Sequence, residues 1–269
     1  MNYLPAGFPD GAPPDILACL EGACIEDRSS SPCARVFFLN KGNGLYLKCS
    51  GKGLLEKEAL FTRYFFSKGL GPEVVYYYRA RHDWLLTCAL PGKNASHPMY
   101  LEHPARLCDT LALELRALHE ADVTGCPVTD RTADYLAAAQ ANAHAGKFCP
   151  FPLPDSFARL SAPQAKALLA QGAAALQSRV LLHGDYCLPN VILDNWALSG
   201  FVDLGCGGVG DRHIDLFWGV WSLWFNLKTN RYCSRFLDAY GRDRADEDVL
   251  QLIAAAEAFA ADPPNSPLF

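Results

Sequence analysis

Apolar positions follow two rhythms, one on each side of Pro91-Gly92. Before that dipeptide they come in short blocks rich in β-branched and aromatic residues. Ala34 to Lys41 and Leu45 to Cys49 are two such blocks. Asn40-Lys41-Gly42-Asn43-Gly44 between them predicts a hairpin. Leu54 to Lys68 predicts a helix, with Leu55, Leu60, Tyr64 and Phe65 near helical spacing and Gly69 and Gly71-Pro72 as its stop. Glu73 to Arg79 and Trp84 to Cys88 predict a second hairpin across Ala80 to Asp83. Pro5 to Pro14 reads as a loose start.

After Pro91-Gly92 the spacing becomes helical. Leu107, Leu111, Leu115 and Leu118 mark one apolar face. Ala133 to Ala143 and Pro163 to Leu176 read as Ala-rich helices. A β patch follows at Val180 to Leu182, Val191 to Asp194 and Gly200 to Val202. Helices at Arg212 to Asn226, Arg231 to Tyr240 and Asp246 to Ala260 complete the pattern. The expected organisation is a small β-rich part over residues 1–90 and a larger, mainly helical part over 91–269, an α+β fold with a cleft as a natural ligand site.

Composition narrows the classes. Of 269 residues, 50% are hydrophobic and 20% charged, which fits a globular chain and excludes a disordered one. Net charge is −5, so binding to nucleic acid through counterion release is not expected. Residues 1–90 hold 10 Lys/Arg and 9 Asp/Glu, whereas 91–269 hold 14 and 20, an acidic second part that would attract a cation. The 11 cysteines form no CxxC pair and read as reduced thiols in the cytoplasm. The first 27 residues contain no Lys or Arg, so no leader is expected. The most apolar stretch, Leu216 to Phe225, is too short to span a bilayer, so no membrane partner is expected. Oligomeric state is open.

The chemistry concentrates in His183-Gly184-Asp185-Tyr186-Cys187-Leu188-Pro189-Asn190 and in Gly200-Phe201-Val202-Asp203-Leu204-Gly205. Taken singly, Asp185, Asn190 and Asp203 are ordinary turn and cap residues. Spaced D-x4-N-x12-D with apolar strands between, they match the catalytic-loop and metal arrangement of kinases. Asn190 and Asp203 offer hard oxygen ligands for Mg²⁺, and Asp185 a carboxylate to orient an acceptor hydroxyl. Such a site also needs a phosphate-binding lysine on a strand and a helix glutamate. Lys48 in Leu45-Tyr46-Leu47-Lys48 meets the first need. Glu58 meets the second, with Glu56 as its competitor.

These motifs, "GLYLK", "HGDYCLPNVILD" and "SGFVDLGCGGVGDRHIDL", resemble the aminoglycoside 3′-phosphotransferases, antibiotic kinases with a protein-kinase-like fold. The resemblance runs from about Ala34 to Phe259. It implies transfer of phosphate from ATP, with Mg²⁺, to the 3′-hydroxyl of a cationic aminoglycoside. It makes Asp185 the catalytic base, Asn190 and Asp203 the metal ligands, and Lys48 with Glu58 the phosphate anchor. His183 and Asp215 would brace the loop. Tyr46 would stack on adenine, the backbone of Cys88 and Leu90 would pair with its edge, and Ser31 would meet a phosphate. The absence of GxGxxG near Ser30 to Ala34, and of an APE-like end after Asp203, sets the chain apart from protein kinases.

On the substrate side the resemblance makes Glu257 the acid near the end of the chain, with Asp155 and Asn226 as further candidates. Four departures bear on range: Ala256 in place of an acid, Cys206 in place of an arginine, aromatics along Trp221 to Asn226, and ten residues beyond Phe259, Asp262 among them. They motivate an alternative acceptor for the same fold: a macrolide, choline, homoserine or an amino sugar.

Overall fold

The structure is a computed structural model that describes residues 5, 7–30 and 32–260. Its packing divides the chain into two units. Among the described residues, the first takes those up to Pro91 together with Ser199–Gly205, and the second takes Gly92–Leu198 and 206–260.

In the first unit, helix α1 (Pro14–Leu20) precedes strands β1 (Cys24–Asp27), β2 (Ala34–Asn40) and β3 (Leu45–Gly51), helix α2 (Glu56–Ser67) and strands β4 (Val74–Arg79) and β5 (His82–Cys88). The five strands form one antiparallel sheet in the order β1-β2-β3-β5-β4. Alternation of side chains along a strand gives each face its own core. Phe37, Leu39, Leu47, Cys49, Trp84 and Leu86 pack with Ile16 and Leu20 of α1. On the other face Leu85 packs with Leu55 and Ala59 of α2. Lys48 lies between Leu47 and Cys49, opposite Val36 and Leu85, and so shares the α2 face.

The described residues from Pro5 to Pro13 form no helix or strand, as the loose start implies, and helix α1 and strand β1 follow where the sequence suggested no element. Pro14 occupies the first helical position, where a missing N–H costs nothing. Within α2, Leu60 is exposed and Phe61 is buried. Leu60 is two residues from both Glu58 and Thr62, which puts it half a turn away from the sheet side. Ser199–Gly205, grouped by sequence with the larger part, pack with the first unit. Phe201 N–H donates to Leu70 O at 2.8 Å, and its ring lies 6.2 Å from that of Phe65.

The second unit begins with β6 (Lys93–Asn94), α3 (Pro98–Leu101), α4 (Pro104–His119), α5 (Arg131–His144) and α6 (Ala162–Gly172). Strands β7 (Val180–Leu182) and β8 (Val191–Asp194) flank the His183–Asn190 loop. Strand β9 (Ala197–Phe201) starts here and runs on into Ser199–Gly205 of the first unit, and β10 (Gly208–Gly210) pairs antiparallel with β7. Helices α7 (His213–Leu227), α8 (Cys233–Gly241) and α9 (Glu247–Ala260) follow. Leu107, Leu111, Leu115 and Leu118 of α4 are buried as a stripe. Every residue of α7 from His213 to Leu223 is buried, so the Trp-rich helix is core. Among the described residues no helix is long and apolar enough to cross a membrane.

Candidate active site

In the first unit, Lys48 Nζ donates to Glu58 Oε1 and Oε2 at 3.1 and 2.9 Å and to Asp203 Oδ1 at 2.6 Å. The β3 register aims the lysine at α2, and Glu58 lies in the first turn of that helix. Glu56 is taken by Arg79 Nη1 at 2.6 Å, which settles the choice between the two glutamates. Burial acts to lower the Lys48 pKa, but the charges of Asp203 and Glu58 outweigh it and hold the ammonium well above the ordinary lysine value. Burial raises the Glu58 pKa, with Lys48 opposing. Asp203 has φ +57°, a strained backbone for a residue other than glycine.

A buried residue missed in the sequence supports this arrangement. Asp83 of β5 accepts from Gly53 N at 2.9 Å, Leu55 N at 3.0 Å and Tyr77 OH at 3.1 Å. It ties down the chain entering α2, and thereby Glu58. The sequence reading puts it in the turn Ala80 to Asp83, where an aspartate is ordinary, whereas the strand starts at His82.

Tyr46 is on the Lys48 face, 41% exposed, with its ring 5.2 Å from that of Phe38. Cys88 N–H donates to Glu73 O at 3.0 Å, so that N–H is taken. Ala89 N–H donates to Gly44 O at 2.9 Å, and Leu90 is half-buried beyond it. Ser31 lies outside the described residues.

In the second unit, β7 delivers a loop braced from below. Buried Asp215 accepts from His183 N at 2.8 Å and Gly184 N at 2.7 Å and meets His119 Nε2 at 3.2 Å. Burial lowers the His119 pKa, so the neutral ring donates from Nε2 and accepts the Tyr240 hydroxyl at Nδ1, 2.8 Å away. His183 is fully buried, and its Nδ1 accepts from Asp185 N at 3.2 Å. Asn190 Nδ2 donates to Asp185 O and Oδ2, each at 3.0 Å. Leu188 N donates to Ser222 Oγ at 2.9 Å. The loop therefore holds the Asp185 carboxylate at its half-exposed surface through main-chain anchors on three sides.

The substrate candidates are scattered. Glu257 is 7% exposed, and its Oε1 accepts both Tyr135 OH at 2.9 Å and Trp218 Nε1 at 3.1 Å. Burial pushes its pKa up to about 7, with the Asp185 charge adding and the Tyr135 bond opposing. Asp155 is an exposed loop residue paired with Asn230 through two hydrogen bonds of 3.0 and 2.7 Å. Asn226 Nδ2 donates back to Ser222 O at 2.8 Å. Asp262 lies outside the described residues.

Among the described residues no three His, Cys, Asp or Glu cluster as a metal site. The expected donors are instead one carboxylate, Asp203, and one carboxamide, Asn190, whose nitrogen is committed to Asp185 and whose oxygen is the atom left to coordinate. Each is a hard oxygen of the kind Mg²⁺ takes.

The phosphotransferase enzyme family matches residues 34–253, most of the chain. A probable aminoglycoside 3′-phosphotransferase of Lactococcus lactis is 45% identical over 241 residues, covering 89% of this chain and 92% of the relative. The chain belongs to the aminoglycoside 3′-phosphotransferase family. Among solved structures of that family, an aminoglycoside 3′-phosphotransferase of type VIII superposes with a TM-score of 0.70 at 27% identity, over 88% of this chain and 94% of that one. An aminoglycoside phosphotransferase from Streptomyces rimosus, in complex with ADP and streptomycin, has a TM-score of 0.67 at 24% identity over 92% and 98% of the two chains, a likeness of fold. The α+β, kinase-like fold expected of an aminoglycoside 3′-phosphotransferase is borne out, as is membership of the family.

Proposed function

We propose that this phosphotransferase moves the γ-phosphoryl group of ATP to the 3′-hydroxyl of an aminoglycoside, and that it works in the cytoplasm, where ATP is available. The observation that carries the nucleotide half is Lys48 bridging Glu58 and Asp203. A lysine steadied by a helix carboxylate and reaching the residue expected to bind metal is the arrangement phosphoryl transfer requires. The names of the relatives, and the ADP bound to one neighbour, support the same reading.

In this reading Lys48 gives its ammonium to phosphate oxygens while Glu58 keeps it in place. Tyr46 offers an exposed ring for the adenine, and Leu90 N–H and Cys88 O offer a donor and an acceptor for its edge. Asp185 accepts a hydrogen bond from the acceptor hydroxyl, orients it and takes its proton as the new P–O bond forms and the bond from the γ-phosphorus to the bridging oxygen breaks, ADP leaving. Asn190 fixes the angle of that carboxylate through Nδ2. Asn190 and Asp203 would hold Mg²⁺, whose chemistry when bound would be to neutralise charge on the phosphates. Positioning and electrostatics supply most of the acceleration.

A second reading keeps the fold and changes the acceptor. Glu257 already has two donors and is buried, which weakens it as a partner for a substrate ammonium and favours a less cationic molecule. ADP release measured with kanamycin, neomycin, a 3′-deoxy aminoglycoside, a macrolide and choline separates the two. Turnover of the first two but not the 3′-deoxy compound supports the first reading. Turnover of only the macrolide or choline establishes the second.

A further inference from the structure

We infer that Arg131 is a positioning residue for phosphoryl transfer, acting on Asp185 through the carbonyl of Cys206. The inference rests on the reading of Asp185 as the group that orients the acceptor hydroxyl.

Arg131 is the first residue of α5, and its Nε donates to Cys206 O at 2.9 Å. That carbonyl is also the surface on which the catalytic loop rests. Gly184, the residue before Asp185, has φ +83°, and a Cβ on it would lie 1.9 Å from Cys206 O and 2.5 Å from Cys206 C. The main chain of the loop and that of residue 206 are thus in direct contact, with no side chain between them. A shift of the Cys206 carbonyl is passed to Gly184, and so to Asp185, with nothing compressible in the way.

The chain beyond Cys206 is fastened to the same helix start. Val209 N donates to Val128 O at 2.8 Å, and Asp211 N to Thr132 Oγ1 at 2.7 Å. A Cβ on Gly208 would lie 2.7 Å from Arg131 Cβ. Strand β10 in turn pairs with β7, which enters the loop. Of these links only the Arg131 bond acts at the carbonyl that touches Gly184. Its donor is ionised, so the bond is charge-assisted.

The test is steady-state kinetics of Arg131→Ala and Arg131→Lys beside the wild type, with melting temperatures for all three. Misplacement of a reacting group by a fraction of an ångström to 1 Å costs roughly 10- to 100-fold in turnover. The expected result is a kcat lower by that factor in both variants, because lysine keeps the charge but not the Nε donor. The KM for ATP should stay within about two-fold, and guanidinium ion at millimolar concentration should raise kcat of Arg131→Ala but not of the wild type. If Arg131→Ala does not fold, Arg131→Lys carries the kcat comparison alone. A kcat within two-fold of wild type, or a loss confined to the acceptor KM, overturns the inference. A wild type that turns over no acceptor overturns the reading of Asp185 first, and this inference with it.

Discussion

Replacing Glu257 with glutamine should stabilise the protein at neutral and alkaline pH. The Glu257 carboxyl is buried, and its pKa is pushed from 4.5 to about 7, first by burial and then by the charge of Asp185, against the Tyr135 and Trp218 bonds and Arg131. Below pH 4.5 the group is protonated in folded and unfolded chains alike. Between 4.5 and about 7 the unfolded chain releases the proton and the folded chain keeps it, so stability falls as pH rises. At about 1.4 kcal/mol per pH unit, the loss across that window is about 3 kcal/mol. For a chain of this size that is about 6 °C in melting temperature. The amide oxygen of a glutamine can accept the same two hydrogen bonds from Tyr135 and Trp218 without ever ionising. Urea unfolding of wild type and Glu257→Gln at pH 5, 6, 7 and 8 should give stabilities that differ by less than about 1 kcal/mol at pH 5 and by about 3 kcal/mol at pH 8, the variant being the more stable. Curves that stay parallel to within about 1 kcal/mol would refute the reasoning, since the carboxyl would then titrate alike in both states.

Gly184→Ala should destabilise and inactivate together, because a methyl group there meets the Cys206 carbonyl at 1.9 Å and the φ of +83° adds about 1–2 kcal/mol of its own. Circular dichroism melts and turnover check both, and an active, wild-type-stable Gly184→Ala would contradict the packing. Lys48→Ala should raise the ATP KM at least ten-fold and cost about 2 kcal/mol of stability by leaving Glu58 without its counter-charge. Adding Glu58→Gln should return most of that stability but none of the activity, and a double-mutant cycle with no coupling would remove the ion pair from the account.

The candidate site residues are legible where spacing constrains them. Asp185, Asn190 and Asp203 sit at short strands and turns whose lengths leave little choice of placement, and Lys48 follows from strand alternation. Glu58 was separable from Glu56 only by structure, since both fall on the first turn of α2 and only the tertiary contact with Arg79 removes Glu56. Helix α1 was hidden because prolines up to Pro14 suppress a helical reading, although its buried Ile16 and Leu20 have helical spacing. Strand β1 was hidden because Cys24-Ile25-Glu26-Asp27 lacks alternation, and most of its residues are exposed. Asp83 and Arg131 act on partners tens of residues away, and nothing local distinguishes them from a turn aspartate and a helix-start arginine. Glu257 was legible as an acid near the end of α9, but Tyr135 and Trp218, which occupy it, lie 122 and 39 positions away.

The central claim is that Asp185 orients the acceptor hydroxyl of an aminoglycoside for phosphate from ATP. The most direct measurement is ADP release by wild type and Asp185→Ala with kanamycin and its 3′-deoxy counterpart, alongside ATP affinity by calorimetry. The account predicts turnover of kanamycin by the wild type and none of the 3′-deoxy compound. It predicts a loss of at least about 100-fold in Asp185→Ala, within the range for removing a positioned base, with ATP affinity unchanged. Retained turnover in a folded Asp185→Ala enzyme, or equal turnover of the 3′-deoxy compound by the wild type, would contradict it.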